Sequence, residues 1–141
     1  MSPIHGYVVG VGIDAVDVDR FRTILGRTPS VRERCFTTGE LAYADARPDP
    51  TERLAARFAA KEATMKALSV GLGAFGFHDV EVVVDPGEQS SGPPRLRLVG
   101  AAAELAASLG ITDFLVSLTH TGSLAQAIVI AQHLDRGLLA L

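Results

Sequence analysis

Apolar residues recur along the chain with two different periods, and the switches between them outline the elements. Val8-Val9-Gly10-Val11-Gly12-Ile13 is a short apolar run that predicts a strand over 7–13. Over 15–26 the apolar positions Val16, Phe21, Ile24 and Leu25 have helical spacing, with Gly26 near the end. Thr37 and Glu40 have the spacing of a capping box, which starts another helix at Leu41-Ala42-Tyr43-Ala44. Arg47-Pro48-Asp49-Pro50 breaks that helix from the next. From about Thr51 to Ser69 the chain is rich in Ala, Leu, Lys, Glu and Arg, without Gly or Pro, so a long helix is predicted there. Leu54, Phe58, Met65 and Leu72 fall on one apolar stripe of it. Gly71, Gly73 and Gly76 follow in a flexible loop.

The second half reads mainly as strands. Residues 79–85 alternate, with Val80, Val82 and Val84 on one side, and residues 95–99 alternate too. Together they predict a hairpin with a polar, mobile connection over 86–94. Residues 101–109 read as a short Ala-rich helix closed by Gly110. Strands at 114–119 and 125–131 complete the domain, and 133–141 is a tail that packs on a neighbour or frays. No repeat is visible, and 141 residues fit one domain. The order strand, three helices, hairpin, helix, hairpin, with mostly antiparallel pairing, is α+β.

Composition narrows the setting. The chain is 48% hydrophobic and 21% charged, with a formal net charge of −3. Its apolar runs are too short and interrupted to span a bilayer, and no signal peptide is evident. A single cysteine, Cys35, makes an intrachain disulfide impossible; a reducing cytoplasm is the simplest setting, and Cys35 reads as a small buried or partly buried apolar residue. The net charge argues against nucleic acid as a partner. Between Arg20 and Arg34, however, stand five arginines (20, 22, 27, 32 and 34) against one acid, Glu33. This is either a solvated helix face or a surface that attracts an acidic protein.

Several residues have the makings of a site. Glu62 falls inside the apolar stripe between Phe58 and Met65, where a carboxylate is costly unless satisfied. Lys66 lies one turn on. Glu62 is therefore half of a Glu–Lys helix pair or a ligand for a metal at the edge of a core. Asp14, at the end of the first strand, reads as an N-cap for a helix starting near Ala15 or as a second carboxylate ligand. Two hard oxygen donors suit Mg²⁺, which completes its octahedron with waters and phosphate oxygens. Arg57 and Lys61 sit one turn apart on the helix flank, to bind phosphate or to be solvated. His120 ends a strand in which Ser117 and Thr119 alternate with Val116 and Leu118.

Gly12-Ile13-Asp14, then Arg57-Phe58-Ala59-Ala60-Lys61-Glu62-Ala63-Thr64-Met65-Lys66-Ala67, then Ser117-Leu118-Thr119-His120 before a final apolar strand, follow one another in this order. The combination resembles the holo-acyl-carrier-protein synthases, the small 4′-phosphopantetheinyl transferases, from about Tyr7 to Gln132. The resemblance implies an enzyme with a single-lobed α+β fold, a mostly antiparallel sheet packed against a long helix. The implied reaction moves 4′-phosphopantetheine from coenzyme A to a serine of apo acyl carrier protein and releases adenosine 3′,5′-bisphosphate.

Site roles follow from the same resemblance. Asp14 and Glu62 hold Mg²⁺ on the pyrophosphate, and Lys66 approaches the same phosphates. A metal-held water, or Glu62 through that water, takes the serine proton. Arg57, Lys61, Ser117 and His120 bind the nucleotide, with Arg57 and Lys61 toward the ribose 3′-phosphate. Gly71 and Gly73 lie by the adenine, although Ser69-Val70 stands where Gly-Thr is common in the family. Arg20 and Ile24 dock the acidic carrier protein. The implied assembly is a cytoplasmic homotrimer with each site between two subunits. A non-catalytic module that binds coenzyme A or the carrier is the competing reading, and intact Asp14, Glu62 and Lys66 speak against it.

Overall fold

The computed structural model describes residues 5–84 and 93–135. Strand β1 (His5–Asp17) leads into helices α1 (Val18–Arg27), α2 (Val31–Cys35), α3 (Thr38–Asp45) and α4 (Thr51–Ala67). A 3₁₀ turn (Phe77–Asp79) precedes β2 (Val80–Val83) and β3 (Arg95–Leu98). Helix α5 (Gly100–Ser108) and the hairpin β4 (Asp113–His120) and β5 (Leu124–Asp135) follow. Pairing is antiparallel throughout: β1-β5-β4 form one sheet, and β2-β3 form a second, two-stranded one. The class is the α+β expected. The predicted connection between β2 and β3 lies largely outside the described residues. So does the tail beyond Asp135; His133, by contrast, is in β5, with its ring stacked on Tyr7 at 5.1 Å.

Helix α4 is sunk into the molecule. Ala55, Ala56, Ala59, Ala60, Ala63 and Ala67 are all buried, and small side chains let neighbours come close. The sheet answers with Ala125, Ala127, Val129 and Ala131 on the inner face of β5. Contact with β1 is closer still: a Cβ on Gly12 would lie 1.8 Å from the Ala63 carbonyl oxygen, and one on Gly10 would lie 2.0 Å from that of Ala67. Only glycine permits backbone to touch backbone in this way.

The second layer is tied down by one buried ion pair. Glu40 and Lys61 are both fully buried and 2.8 Å apart. The Lys61 ammonium also donates to the carbonyl oxygens of Phe77 (2.8 Å) and Val80. Glu40 completes the capping box by accepting from the Thr37 amide, and its second oxygen accepts from the Val82 amide at 3.0 Å. One carboxylate thus joins α3, α4 and β2.

Two expectations are corrected here. β1 continues to Asp17 because β5 keeps pairing with it, so Asp17 caps α1 through the Arg20 amide at 2.8 Å, and Asp14 does not. α4 ends at Ala67, and Ser69 takes a left-handed φ of 59°, so Leu72 leaves the stripe and is exposed. The arginine-rich segment also contains a short helix of its own, α2, not singled out from the sequence, and Cys35 is buried at its end, as expected.

Candidate active site

The close approach of β1 and α4 brings Asp14 and Glu62 to one groove. Asp14 leaves β1 opposite Ala127. Glu62 lies on the one edge of the middle of α4 that is not buried, in line with half-buried Phe58 and exposed Lys66. It is therefore not inside the buried stripe with Leu54 and Met65, and the groove, not the core, surrounds it. Burial and, second, the charge of Asp14 raise the Glu62 pKa, and Lys66 opposes the shift. Lys66 does not pair with Glu62: its ammonium donates to Asp14 Oδ1 at 3.1 Å and to the Ile13 carbonyl at 2.9 Å. Glu62 accepts no hydrogen bond from the described residues. Two carboxylates from different elements, one of them unsatisfied, fit a cation that takes few protein ligands and completes its shell elsewhere. Among the described residues no third acid, His or Cys joins them, which suits Mg²⁺ better than a metal needing an all-protein cage.

The groove, about 510 Å³, runs from these carboxylates along α1 to Arg20 and Ile24. Both residues are exposed. The arginine excess of this region is smaller than the sequence suggests. Arg22 is bound to Asp19 and Asp49, and Arg32 to Asp45, at 2.6–2.9 Å. Arg20, Arg27 and Arg34 have no ion pair among the described residues.

A second pocket, about 230 Å³, is cationic: Arg47, Arg53, Arg57 and His120 line it beside Tyr43. Arg57 is 4% exposed, and its Nε is buried without a hydrogen-bond partner. One Nη donates to the Arg53 carbonyl at 3.2 Å. Burial lowers the Arg57 pKa, with Tyr43 and Glu40 opposing, and the guanidinium remains a cation. His120 Nδ1 donates to Glu52 at 2.8 Å. Arg53 and Arg57 have no carboxylate partner among the described residues, so buried positive charge here lacks compensation that an anion would supply.

Not every anticipated residue joins these two places. Lys61 is corrected outright: with no exposed surface and its donors on Glu40, Phe77 and Val80, it cannot reach a nucleotide. Ser117 lies on the outer face of the sheet, opposite Ile128, whereas Leu118 and His120 line the cationic pocket. Gly71 and Gly73 are exposed with open space around them, and only Gly73, at φ 94°, needs glycine for its backbone. Sequence reasoning missed Tyr43, Arg47 and Arg53. Arg53 had a usable signal, its position one turn before Arg57 on the same face of α4.

The sequence profile of the 4′-phosphopantetheinyl transferase superfamily matches residues 10–129, and the chain belongs to this family of transferases. The holo-[acyl-carrier-protein] synthase of Frankia casuarinae is 51% identical over 125 residues, which cover 89% of this chain and 98% of that protein. The acyl carrier protein synthase structure from Mycobacterium tuberculosis is 38% identical, with a TM-score of 0.68 over 89% of this chain and 97% of that one. The Helicobacter pylori holo-[acyl-carrier-protein] synthase, solved in complex with coenzyme A, is 28% identical with a TM-score of 0.73, covering 86% and 98%. Within the family the chain stands with the holo-acyl-carrier-protein synthases.

Proposed function

We propose that this chain transfers 4′-phosphopantetheine from coenzyme A to a serine hydroxyl of apo acyl carrier protein, in the cytoplasm, and so charges the carrier used in fatty acid synthesis. The observation that carries the reading is the meeting of Asp14 and Glu62 in a groove that runs to the exposed cations of α1. In the reaction the serine oxygen attacks the phosphorus that bears pantetheine. The bond from that phosphorus to the bridging oxygen breaks, adenosine 3′,5′-bisphosphate leaves, and the serine gives its proton to water or, through a water, to Glu62.

Asp14 and Glu62 hold Mg²⁺. When bound, that ion supplies charge to offset the pyrophosphate and its transition state. Lys66, half exposed at the rim, presents an ammonium to the same phosphates. Arg57 and His120, from α4 and the end of β4, receive the ribose 3′-phosphate in the cationic pocket, while Gly71 and Gly73 lie by the adenine. Arg20 and Ile24 dock the carrier protein, whose acidic surface complements α1.

The protein assembles as a homotrimer. The outer face of the main sheet exposes Val11, Ile13, Leu115 and Ile128, and a second subunit would cover it. Ser117, on that face, would then serve a neighbour's site. Incubation with apo carrier protein, coenzyme A and Mg²⁺, followed by weighing the carrier, tests the activity. A carrier that gains no phosphopantetheine overturns it. Sedimentation as a monomer would overturn the trimer.

A further inference from the structure

Two guanidinium groups lie against the ring of Tyr43. The Arg53 Cζ lies 4.1 Å from its ring centroid and the Arg57 Cζ 4.2 Å. Both arginines are buried, at 7% and 4% exposure. Arg53 is anchored a second time, by a 2.6 Å bond from Nη1 to the Tyr43 carbonyl. Two like charges on neighbouring turns of α4 repel, and no carboxylate among the described residues stands between them. Both lie against the ring of Tyr43, whose negative π face attracts and holds them. Tyr43 comes from α3, whose capping box and Glu40–Lys61 pair fix it against α4. The ring is thus a rigid wall brought in from a different element.

We infer that Tyr43 is a positioning residue that holds Arg57, and with it Arg53, in the orientation that receives the ribose 3′-phosphate. The inference rests on the reading of the cationic pocket as the 3′-phosphate site. Without the ring, an arginine side chain has many rotamers and two repelling neighbours. Its guanidinium then spends part of its time away from the ligand, and affinity falls by the fraction of time it is misplaced. The chemistry at the pyrophosphate is untouched, so the effect belongs to binding.

The test compares coenzyme A with dephospho-coenzyme A, which lacks only the 3′-phosphate. The readout is the ratio of KM for dephospho-coenzyme A to KM for coenzyme A. Arg57→Leu should collapse this ratio; if it does not, the pocket is not the 3′-phosphate site, and that reading and this inference fall together. With Arg57→Leu collapsing it, Tyr43→Leu should lower the ratio about tenfold, the size expected from losing one or two desolvated cation–π contacts. Tyr43→Phe, which keeps the ring, should retain most of the discrimination. Pentafluorophenylalanine at position 43 keeps the shape but reverses the charge on the ring faces, so it should behave like Tyr43→Leu even if the leucine variant folds poorly. An unchanged ratio with pentafluorophenylalanine, beside a collapsed ratio in Arg57→Leu, overturns the role of Tyr43 and leaves the pocket standing.

Discussion

Lys66 bonds to Asp14 and not to Glu62, although Glu62 is its neighbour one turn back on the same helix. The ammonium reaches across to β1 and takes both the Asp14 carboxylate and the Ile13 carbonyl. The two carboxylates of the site therefore differ: Asp14 is neutralised in part, and Glu62 is left to a ligand. As an exposed pair, Lys66–Asp14 contributes little to stability, about 1 kcal/mol or less. In the proposed reaction its value is in placing a cation at the phosphates. Lys66→Ala should lower kcat by about 100-fold or more while moving KM for coenzyme A much less, since the lost charge acts on the transition state. Calorimetric Mg²⁺ affinity should not weaken, because a competing cation has left Asp14. A change confined to KM would assign Lys66 to ground-state binding alone.

Glu62→Gln should remove transfer, by more than the roughly 10–100-fold typical of outer-shell partners of a metal. It should also make the metal-free protein more stable at neutral pH. The Glu62 pKa is raised above its ordinary 4.5 in the folded state. The folded chain then holds that proton more tightly than the unfolded chain, so stability falls as pH rises from about 4.5 through the raised value and stays lower above it. Glutamine has no charge to lose. Melting curves from pH 4 to 8 without metal should show the wild type and variant alike at the acid end and the variant higher at pH 7. Mg²⁺ should then raise the melting temperature of the wild type more than that of the variant.

Gly12→Ala should destabilise the fold by about 3 kcal/mol or more, because its Cβ would meet the Ala63 carbonyl and nothing there is a flexible side chain. The surviving folded fraction should have lost Mg²⁺ affinity, since β1 must move away from α4 and carry Asp14 with it. Gly26→Ala is the control: a Cβ there meets nothing within 4 Å, and the change in a helix should stabilise by about 0.5–1 kcal/mol. Urea unfolding and Mg²⁺ titration of both variants check this.

Glu40→Gln should cost about 3–5 kcal/mol in urea unfolding, because it leaves a buried ammonium without its counter-charge. Glu40→Leu combined with Lys61→Met should recover only part of that loss. The carboxylate also serves the Thr37 and Val82 amides, and leucine leaves both unsatisfied.

Arg20→Glu should raise KM for the carrier protein several-fold to about tenfold and leave coenzyme A affinity unchanged. Arg20 is exposed, so the effect is that of a rim charge. It should grow at low salt, where screening is weakest. Equal KM for the carrier at two ionic strengths would remove α1 as the docking surface.

The order of the longer elements, the capping box and the candidate carboxylates were legible because each is a local pattern; the five-residue α2 was too short to announce itself. What escaped depends on partners distant in sequence. Asp14 and Asp17 are equally good caps by composition; only the pairing of Asp17 with Leu124 extends the strand and selects the second. Lys61 reads as a solvated lysine until Glu40 is placed beside it. Glu62 reads as a misfit in an apolar stripe, because a helix buried on nearly every side has no polar face to announce the one edge that is open. Ser117 and His120 sit three positions apart on one strand and so point to opposite faces, a parity that motif matching does not weigh.

The bonds of Lys61 also bear on the path by which the chain folds. Its ammonium is satisfied from α3, from the 3₁₀ turn and from β2 together. If α4 docked on the main sheet alone, the ammonium, on the side of the helix away from Ala63, would stay in water. Dry packing of that side of α4 must therefore wait for α3 and the small hairpin to arrive. Refolding should protect the amides of α3 and β2 from hydrogen exchange together, and no earlier than those of the larger sheet.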